Sequence, residues 1–377
     1  MISLKEIKAE CRFRLKKFSL QEQYYYDYKC FPREVPRTFC VHRKGFSLME
    51  WNMLGLEDKD YKSYLTTRDY YKLHPLNGRY SRLIDDKIVI KETLSGTPLD
   101  QYMPEYYFLF DNEGLISLMM DAPDGLTADV NGILSLLRQK KKLALKRTNS
   151  TFGRGFYKLE YTEEGCYVNS TSRTEAEIRE MLAGCRNYVV TEYLTSHPGL
   201  QEFWPHTANA IRYLSGRVGS EWRMLKSFVR MGSSKTGEIE SFSKGGVICY
   251  IDEEGFFHNG FTVEKKKGRS HIREIRRHPD TKKVLEGRIP CWEELVKAAE
   301  DLQRYYSQTC YLGFDFVVTD ENKIKLLEIN SLNSLYSIQM DRSILDTENG
   351  KWFFLHKLKK DLPALRVGKN ERNRRIY

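Results

Sequence analysis

The 377-residue chain is 41% hydrophobic, 30% charged and 13% aromatic, which supports a packed core and excludes wholesale disorder. No apolar run approaches the ~18 residues of a membrane span, residues 1–17 lack a signal-peptide core, and the eight cysteines form no C-x-x-C pair, so reduced thiols in a cytosolic protein are expected instead of disulfides or zinc. Residues 1–17 carry six basic and two acidic side chains and residues 359–377 seven and two, so the ends hold +9 of the formal net charge of +10. The central body is then close to neutral, which argues against a nucleic-acid-binding core. Basic ends suit an anionic surface, an anionic partner, or solvation alone.

Leu4, Ile7, Cys11, Leu15 and Phe18 share one helix face, opposite a basic one. Docking on the protein's own body or lying in a membrane interface would both use that face. Residues 20–80 are rich in Tyr and Arg, with turn signals at His74-Pro75 and Asn77-Gly78. From about residue 83, strands alternate with helices. Val130, Ile133, Leu134 and Leu137 share a helix face ahead of the short strand Leu143-Ala-Leu-Lys146. Thr174 and Glu177 form a capping box that opens a helix ending at Gly184, and residues 187–194 follow as a strand. Pro290 precedes a helix with Leu295, Ala298, Ala299, Leu302 and Tyr306. The class is mixed α+β with mostly antiparallel sheets.

The most informative stretch is Gly313-Phe-Asp-Phe-Val-Val-Thr-Asp-Glu-Asn-Lys-Ile-Lys-Leu-Leu-Glu-Ile-Asn330. Two apolar strands flank a polar loop, the pattern of a hairpin. Pairing Thr319 with Ile324 sets Asp315 opposite Glu328, and period-2 alternation puts Asn330 on the same face. Opposed residues lie ~5 Å apart at Cβ, where like charges repel, so something must neutralise the two acids. Magnesium, a hard cation that takes oxygen ligands, would do so with Asn330 as a neutral donor. Solvation at a sheet edge, or an Arg beside Asp315, would also serve.

A second candidate is Lys146-Arg-Thr-Asn-Ser-Thr-Phe-Gly-Arg-Gly155, between two apolar strands. A terminal Lys, hydroxyls and two glycines suit a phosphate cradle. It is neither a Walker A loop nor a Rossmann fingerprint, and a plain hairpin tip accounts for it equally well.

Taken in order, these features resemble an ATP-grasp enzyme. Asp86-Lys87 opens a helix, Lys146 ends a strand before the glycine loop, and Val189-Val-Thr-Glu-Tyr-Leu194 looks like the adenine-contacting hinge. Asp315 precedes Glu328 by 13 positions, and Leu-Leu-Glu-Ile-Asn330 looks like the metal-binding signature. Leu76-Asn-Gly-Arg-Tyr80, His197-Pro198, Asn209-Ala-Ile-Arg212, Phe228-Val-Arg230, Lys244-Gly-Gly246, His278-Pro279, Ile289-Pro-Cys-Trp292 and Leu312-Gly-Phe-Asp315 are similar to the sugar-transfer-associated ATP-grasp group. Teichuronopeptide-type proteins are similar in layout. The resemblance spans about residues 60–355. Ser243-Lys244 departs from the Asp-Asn expected before the Gly pair, and the glycine loop is glycine-poor.

The resemblance implies two mixed α/β subdomains clasping ATP over residues 83–358, divided near 191/192. A helical, irregular region (1–82) would precede them and a basic tail (359–377) follow. It implies ATP contacts from Lys87, Lys146, Thr148, Ser150, Gly153, Arg154, Gly155, Glu192, Tyr193, Leu194 and His197. Two magnesium ions would sit on Asp315, Glu328 and Asn330, with Arg212, Arg230, Asn209 and Lys226 as catalytic candidates. The chemistry implied is an ADP-forming carbon–nitrogen ligase working through an acyl phosphate; the group's name points to surface-polysaccharide or sugar-precursor modification, hence to an amino acid or amine joined to a sugar acid. Phosphoryl transfer to a hydroxyl and a non-catalytic scaffold for glycosyltransferases are the rivals. The basic ends would contact a glycosyltransferase or the inner membrane face.

Overall fold

The structure is a computed structural model that describes residues 20–57, 59–148, 155–266 and 269–359. The basic segment 4–18, the tail beyond residue 359, and Ser150, Gly153 and Arg154 therefore lie outside the described residues. The chain forms two compact units. One comprises the described residues of Met1–Leu76, Ser215–Leu225 and Leu332–Tyr377, and the other Asn77–Leu214 and Lys226–Ser331.

The first unit is mainly helical, with Leu20–Cys30, Val35–Lys44, Leu48–Leu54, Thr67–Leu73 and Glu348–Lys357. Asp27, fully buried, accepts from the backbone N–H groups of Leu48 (2.6 Å) and Met49 (3.2 Å) and bonds His42 Nε2 at 2.8 Å. A buried carboxylate needs such partners, and here they tie three helices together. Gln339 exchanges two hydrogen bonds with the Leu65 backbone, and the Tyr70 hydroxyl donates to Asn333 O at 2.7 Å.

Two antiparallel sheets make up the second unit, except that residues 215–225 of the second sheet belong to the first unit. The first contains β1 (Tyr106–Phe110), β2 (Ile116–Leu118), β3 (Lys142–Arg147), β4 (Tyr157–Thr162), β5 (Gly165–Val168), β6 (Thr171–Arg173) and β7 (Tyr188–Glu192). Their order is β2-β1-β7-β3-β4-β5-β6. Helices Val130–Lys140 and Glu175–Ala183 bury Ile133, Leu134, Leu137, Ile178 and Leu182 against Leu143, Leu145 and Val190. The second helix starts on the predicted Thr174–Glu177 capping box, and the first on Asp129, whose side chain accepts from Gly132 N. Because Leu143 and Leu145 face the helices, Lys146 projects from the helix-free face.

The second sheet contains β8 (Ile211–Val218), β9 (Glu221–Met231), β10 (Val247–Ile251), β11 (Phe256–His258), β12 (Gly260–Lys266), β13 (Arg269–Ile275), β14 (Glu286–Arg288), β15 (Tyr311–Val318) and β16 (Ile324–Asn330). The main path runs β13-β12-β10-β9-β8-β15-β16, with β11 and β14 beside β10. Helix Trp292–Tyr305 covers one face, burying Leu295, Ala298, Ala299 and Leu302, and the Trp292 ring lies 6.2 Å from that of Tyr213. Alternation then turns Arg212 to the opposite face. Asn77 locks the start of β15: its amide donates to Tyr311 O at 2.7 Å and accepts from the N–H groups of Cys310 and Tyr311.

Candidate active site

The carboxylate hairpin forms, with one correction to its register. Val318, not Thr319, pairs with Ile324, and Phe316 pairs with Leu326. A bulge at Leu327 then shifts the ladder by one residue, so that Asp315 pairs with Glu328 and Gly313 with Asn330. The expected opposition is thus reached through an extra residue on β16. Bulges of this kind re-aim side chains next to functional sites.

Neutralisation comes from side chains. Arg212 grips Asp315 with two nitrogens, Nε on Oδ1 and Nη2 on Oδ2, the latter at 2.8 Å. Arg230 Nη2 donates to Asp315 Oδ2 at 2.8 Å. Asp315 is 1% exposed, and the Arg212 fork together with the single Arg230 contact meets a buried carboxylate's need for partners. Lys87 Nζ lies 2.7 Å from Glu328 Oε2, and Asn330 Nδ2 donates to Glu328 Oε1 at 3.2 Å. Burial works against ionising Glu328, but Lys87 and Arg212 outweigh it and hold this carboxyl well below the usual carboxylate range. Burial likewise opposes the Lys87 charge, and Glu328, helped by Asp315 and Asp86, raises the ammonium above its ordinary value.

Local backbone chemistry sets these positions. Asp86 caps helix Lys87–Leu94, accepting from the N–H groups of Ile88 (2.9 Å) and Val89 (3.3 Å), and so delivers Lys87 at its first turn. Asp85 accepts from both the backbone N–H and the hydroxyl of Ser331 at 2.8 Å, fixing that helix start to the residue after Asn330.

Lys146 has no ion-pair partner among the described residues. Burial and the nearby Lys87 charge push its ammonium down to about 8, against the pull of Glu328, Glu192 and Glu240. Two results follow with opposite signs. The unfolded chain holds its lysine proton up to an ordinary pKa near ~10.4, so Lys146's contribution to stability rises with pH between about 8 and 10. The same loss of charge would weaken the hold on a phosphate placed beside Lys146, where the resemblance puts the nucleotide, so that ADP bound there would be about tenfold weaker at pH 9 than at pH 7. Lys146→Arg, which stays charged, should flatten that profile when ADP is titrated calorimetrically across the range.

The remaining candidates divide. Thr148 Oγ1 donates to Asn187 O at 3.3 Å, closing the strand end. Gly155 has φ 74°, and a Cβ there would be strained and would have to displace the Tyr188 hydroxyl at 2.7 Å and the Arg147 side chain at 2.9 Å. The Glu192 side chain accepts from Glu105 N at 3.2 Å. Lys158 Nζ sits 5.9 Å over the Tyr193 ring, and Leu194 packs with Ala210 and Val317. His197 Nδ1 accepts from Gly199 N at 3.0 Å, a capping role. Asn209 is fully buried at φ 44°, donates to the carbonyls of Leu200 and Trp204, and accepts from Thr207: its side chain latches a loop. Lys226 Nζ lies 4.0 Å over the Tyr250 ring.

One group absent from the sequence candidates joins the cluster. Glu240 accepts weakly from Ala210 N at 3.4 Å, and burial pushes its carboxyl up against the opposing pull of Arg230. It lies in an irregular stretch between β9 and β10, with no periodicity to mark it. Arg230 Nε, meanwhile, is a buried donor without an acceptor among the described residues.

The sequence profile of the sugar-transfer-associated ATP-grasp family matches residues 66–349. The chain belongs to this family. The ATP-grasp fold and the two antiparallel sheets agree with it. No curated protein matches the chain at a significant level. Similar solved structures include D-alanyl-alanine synthetase A from Vibrio cholerae (16% identity, 73% of this chain and 64% of that one, TM-score 0.40). N5-carboxyaminoimidazole synthetase from Staphylococcus aureus, complexed with ADP, is similar at 11% identity (75% and 54%, TM-score 0.41). L-amino acid ligase from Bacillus licheniformis is similar at 8% identity (74% and 48%, TM-score 0.40). The chain thus spans less than two thirds of the length of each.

Two of the segments that carry the resemblance can be followed into this structure. The Asn of Leu76-Asn-Gly-Arg-Tyr80 is the lock on β15, and His278 binds Gly232 O through Nε2 at 2.9 Å while its Nδ1 accepts from Asp280 N. Asn77 thus fixes the start of the carboxylate hairpin, whereas His278 ties the segment after β13 to Gly232, just past β9.

Proposed function

We propose that the chain is an ATP- and magnesium-dependent carboxylate–amine ligase that joins an amine to a sugar-linked acid. The observation that carries the reading is the pair Asp315–Glu328, opposed on a hairpin and ringed by Lys87, Arg212 and Arg230, near Lys146, which has no ion-pair partner among the described residues. Four cations against the three carboxylates of Asp315, Glu328 and Glu240 leave positive charge to meet a nucleotide's phosphates. The description of the family as sugar-transfer-associated supports the sugar-linked substrate.

The donor set is oxygen only, two carboxylates and an amide, as magnesium prefers; Asn330 Oδ1 has no partner among the described residues, whereas both Asp315 oxygens are held by Arg212 and Arg230. Asp315, Glu328 and Asn330 would hold the ions, two in this reading, which supply charge neutralisation at the phosphates. Lys87 and Lys146 bind phosphate oxygens, Lys87 exchanging Glu328 for the nucleotide. The hinge residues Glu192, Tyr193 and Leu194 hold the adenine. A substrate carboxylate oxygen attacks the γ-phosphorus, forming an O–P bond as the bridge to the β-phosphate breaks and ADP departs. Arg230, through Nε, and Arg212 stabilise charge on the acyl phosphate. The amine then attacks the acyl carbon, the C–N bond forms, phosphate leaves, and the amine's surplus proton passes to solvent.

An ATP-consuming reaction calls for a cytoplasmic enzyme, and among the described residues no helix is long and apolar enough to cross a membrane. The test is phosphate release across uronic acids paired with amino acids and polyamines. A productive pair should release one phosphate per amide formed. ATP consumption that leaves phosphate on the acceptor would replace the ligase with a kinase.

A further inference from the structure

Helix Lys87–Leu94 carries a second lysine one turn after the first. Lys91 is 2% exposed, and its ammonium lies 2.8 Å from both Asp100 Oδ1 and Asp121 Oδ2. A buried ammonium is costly unless paired, and two carboxylates meet that need more fully than one. Asp121 Oδ2 also accepts from Tyr106 N at 2.7 Å, at the first residue of β1. The Tyr106 ring lies 5.8 Å from the same ammonium. The preceding residue, Glu105, exchanges two hydrogen bonds with Glu192 at the end of β7: Glu105 N donates to Glu192 Oε2 at 3.2 Å, and Glu192 N donates to Glu105 O at 2.8 Å.

These contacts form one continuous path. It runs from Lys87, facing Glu328, along one helical turn to Lys91, through Asp121 to the start of β1, and from Glu105 to the hinge. Lys87 stands at the phosphate end of the proposed nucleotide site and Glu192 at the adenine end. We propose that Lys91 is a positioning residue that sets the spacing between the phosphate-binding Lys87 and the adenine hinge, an inference that rests on the ATP reading. Lys91 touches neither end of the nucleotide. Its effect is on how well both ends are engaged at once, which is the property that distinguishes ADP from adenosine.

The test compares ADP and adenosine binding to the full chain, by calorimetry, in wild type, Lys91→Met and Lys91→Arg. Lys91→Met should weaken ADP about tenfold while adenosine stays within about twofold, because only ADP needs both ends in register. Lys91→Arg, whose guanidinium can still bridge Asp100 and Asp121, should restore most of the ADP affinity. A purely structural role would lower thermal stability and leave the ADP-to-adenosine ratio at its wild-type value, and that result overturns the proposal. Should Lys91→Met fail to fold, Asp100→Asn keeps the Asp121 arm and should give an intermediate ratio; an unchanged ratio there overturns it equally. Wild type that binds no ADP contradicts the nucleotide reading itself, whereas wild type that binds ADP beside an unaffected Lys91→Met removes only the positioning role.

Discussion

Asp315→Asn should destabilise the protein by about 3 kcal/mol or more and abolish ATP turnover. The substitution keeps the side chain's shape and removes its charge at a position that is 1% exposed. Arg212 and Arg230 would then face each other without the carboxylate both of them grip, close to Lys87 and Lys146. Removing one member of a buried charge cluster is costly because the remaining charges stay desolvated and unpaired. Chemical denaturation of the variant measures the stability loss. Adding Arg212→Met should recover part of it by removing one of the stranded cations, with no return of turnover. Equal stability of Asp315→Asn and wild type would mean that the guanidinium forks do not depend on Asp315.

Glu328→Gln should lower turnover about 10³-fold while leaving a folded protein. Glutamine can still accept from Asn330, so the hairpin keeps its geometry, but it cannot balance Lys87 or offer a carboxylate to a metal. The same substitution carries a pH signature. Wild-type Glu328 ionises in the folded state well below the range of an unfolded glutamate. Its contribution to stability is therefore fully present above about pH 4.3 and is lost as pH falls further. Glu328→Gln should be less stable at neutral pH and show a shallower decline on acidification. Parallel acid titrations of stability in the two proteins check the sign.

The sequence made the hairpin legible because two independent signals agreed there: alternation of apolar residues and a 13-residue spacing between acids. The register was not legible in detail, since a bulge at Leu327 has no marker in an apolar run such as Leu326-Leu-Glu-Ile329. Arg212 and Arg230 were legible as guanidiniums in apolar strands that require an anion, but that their shared anion is Asp315 depends on the neighbours of β8 in the sheet order. Asn209 illustrates the reverse. Its place beside Arg212 suggested chemistry, whereas its contacts with Leu200, Trp204 and Thr207 hold a loop at positive φ. Lys91 and Asp121 went unnoticed because a buried ion pair 30 residues apart leaves no periodic trace.

Charge summed by region also concealed a local feature. The central body is near neutral overall, yet residues 265–283 carry nine basic and two acidic side chains. This run covers β13, the edge strand of the second sheet. Charged residues on an edge discourage pairing with another chain, which accounts for the run without a ligand.

The most direct test of the account is thermal stabilisation by ADP, with and without magnesium, in wild type and Glu328→Gln. It requires no knowledge of the acceptor. The account predicts a magnesium-dependent rise in wild type, equivalent to about 2.7 kcal/mol at a hundredfold excess over Kd, that shrinks in the variant. No stabilisation of wild type under either condition, or a rise indifferent to both magnesium and Glu328, would contradict it.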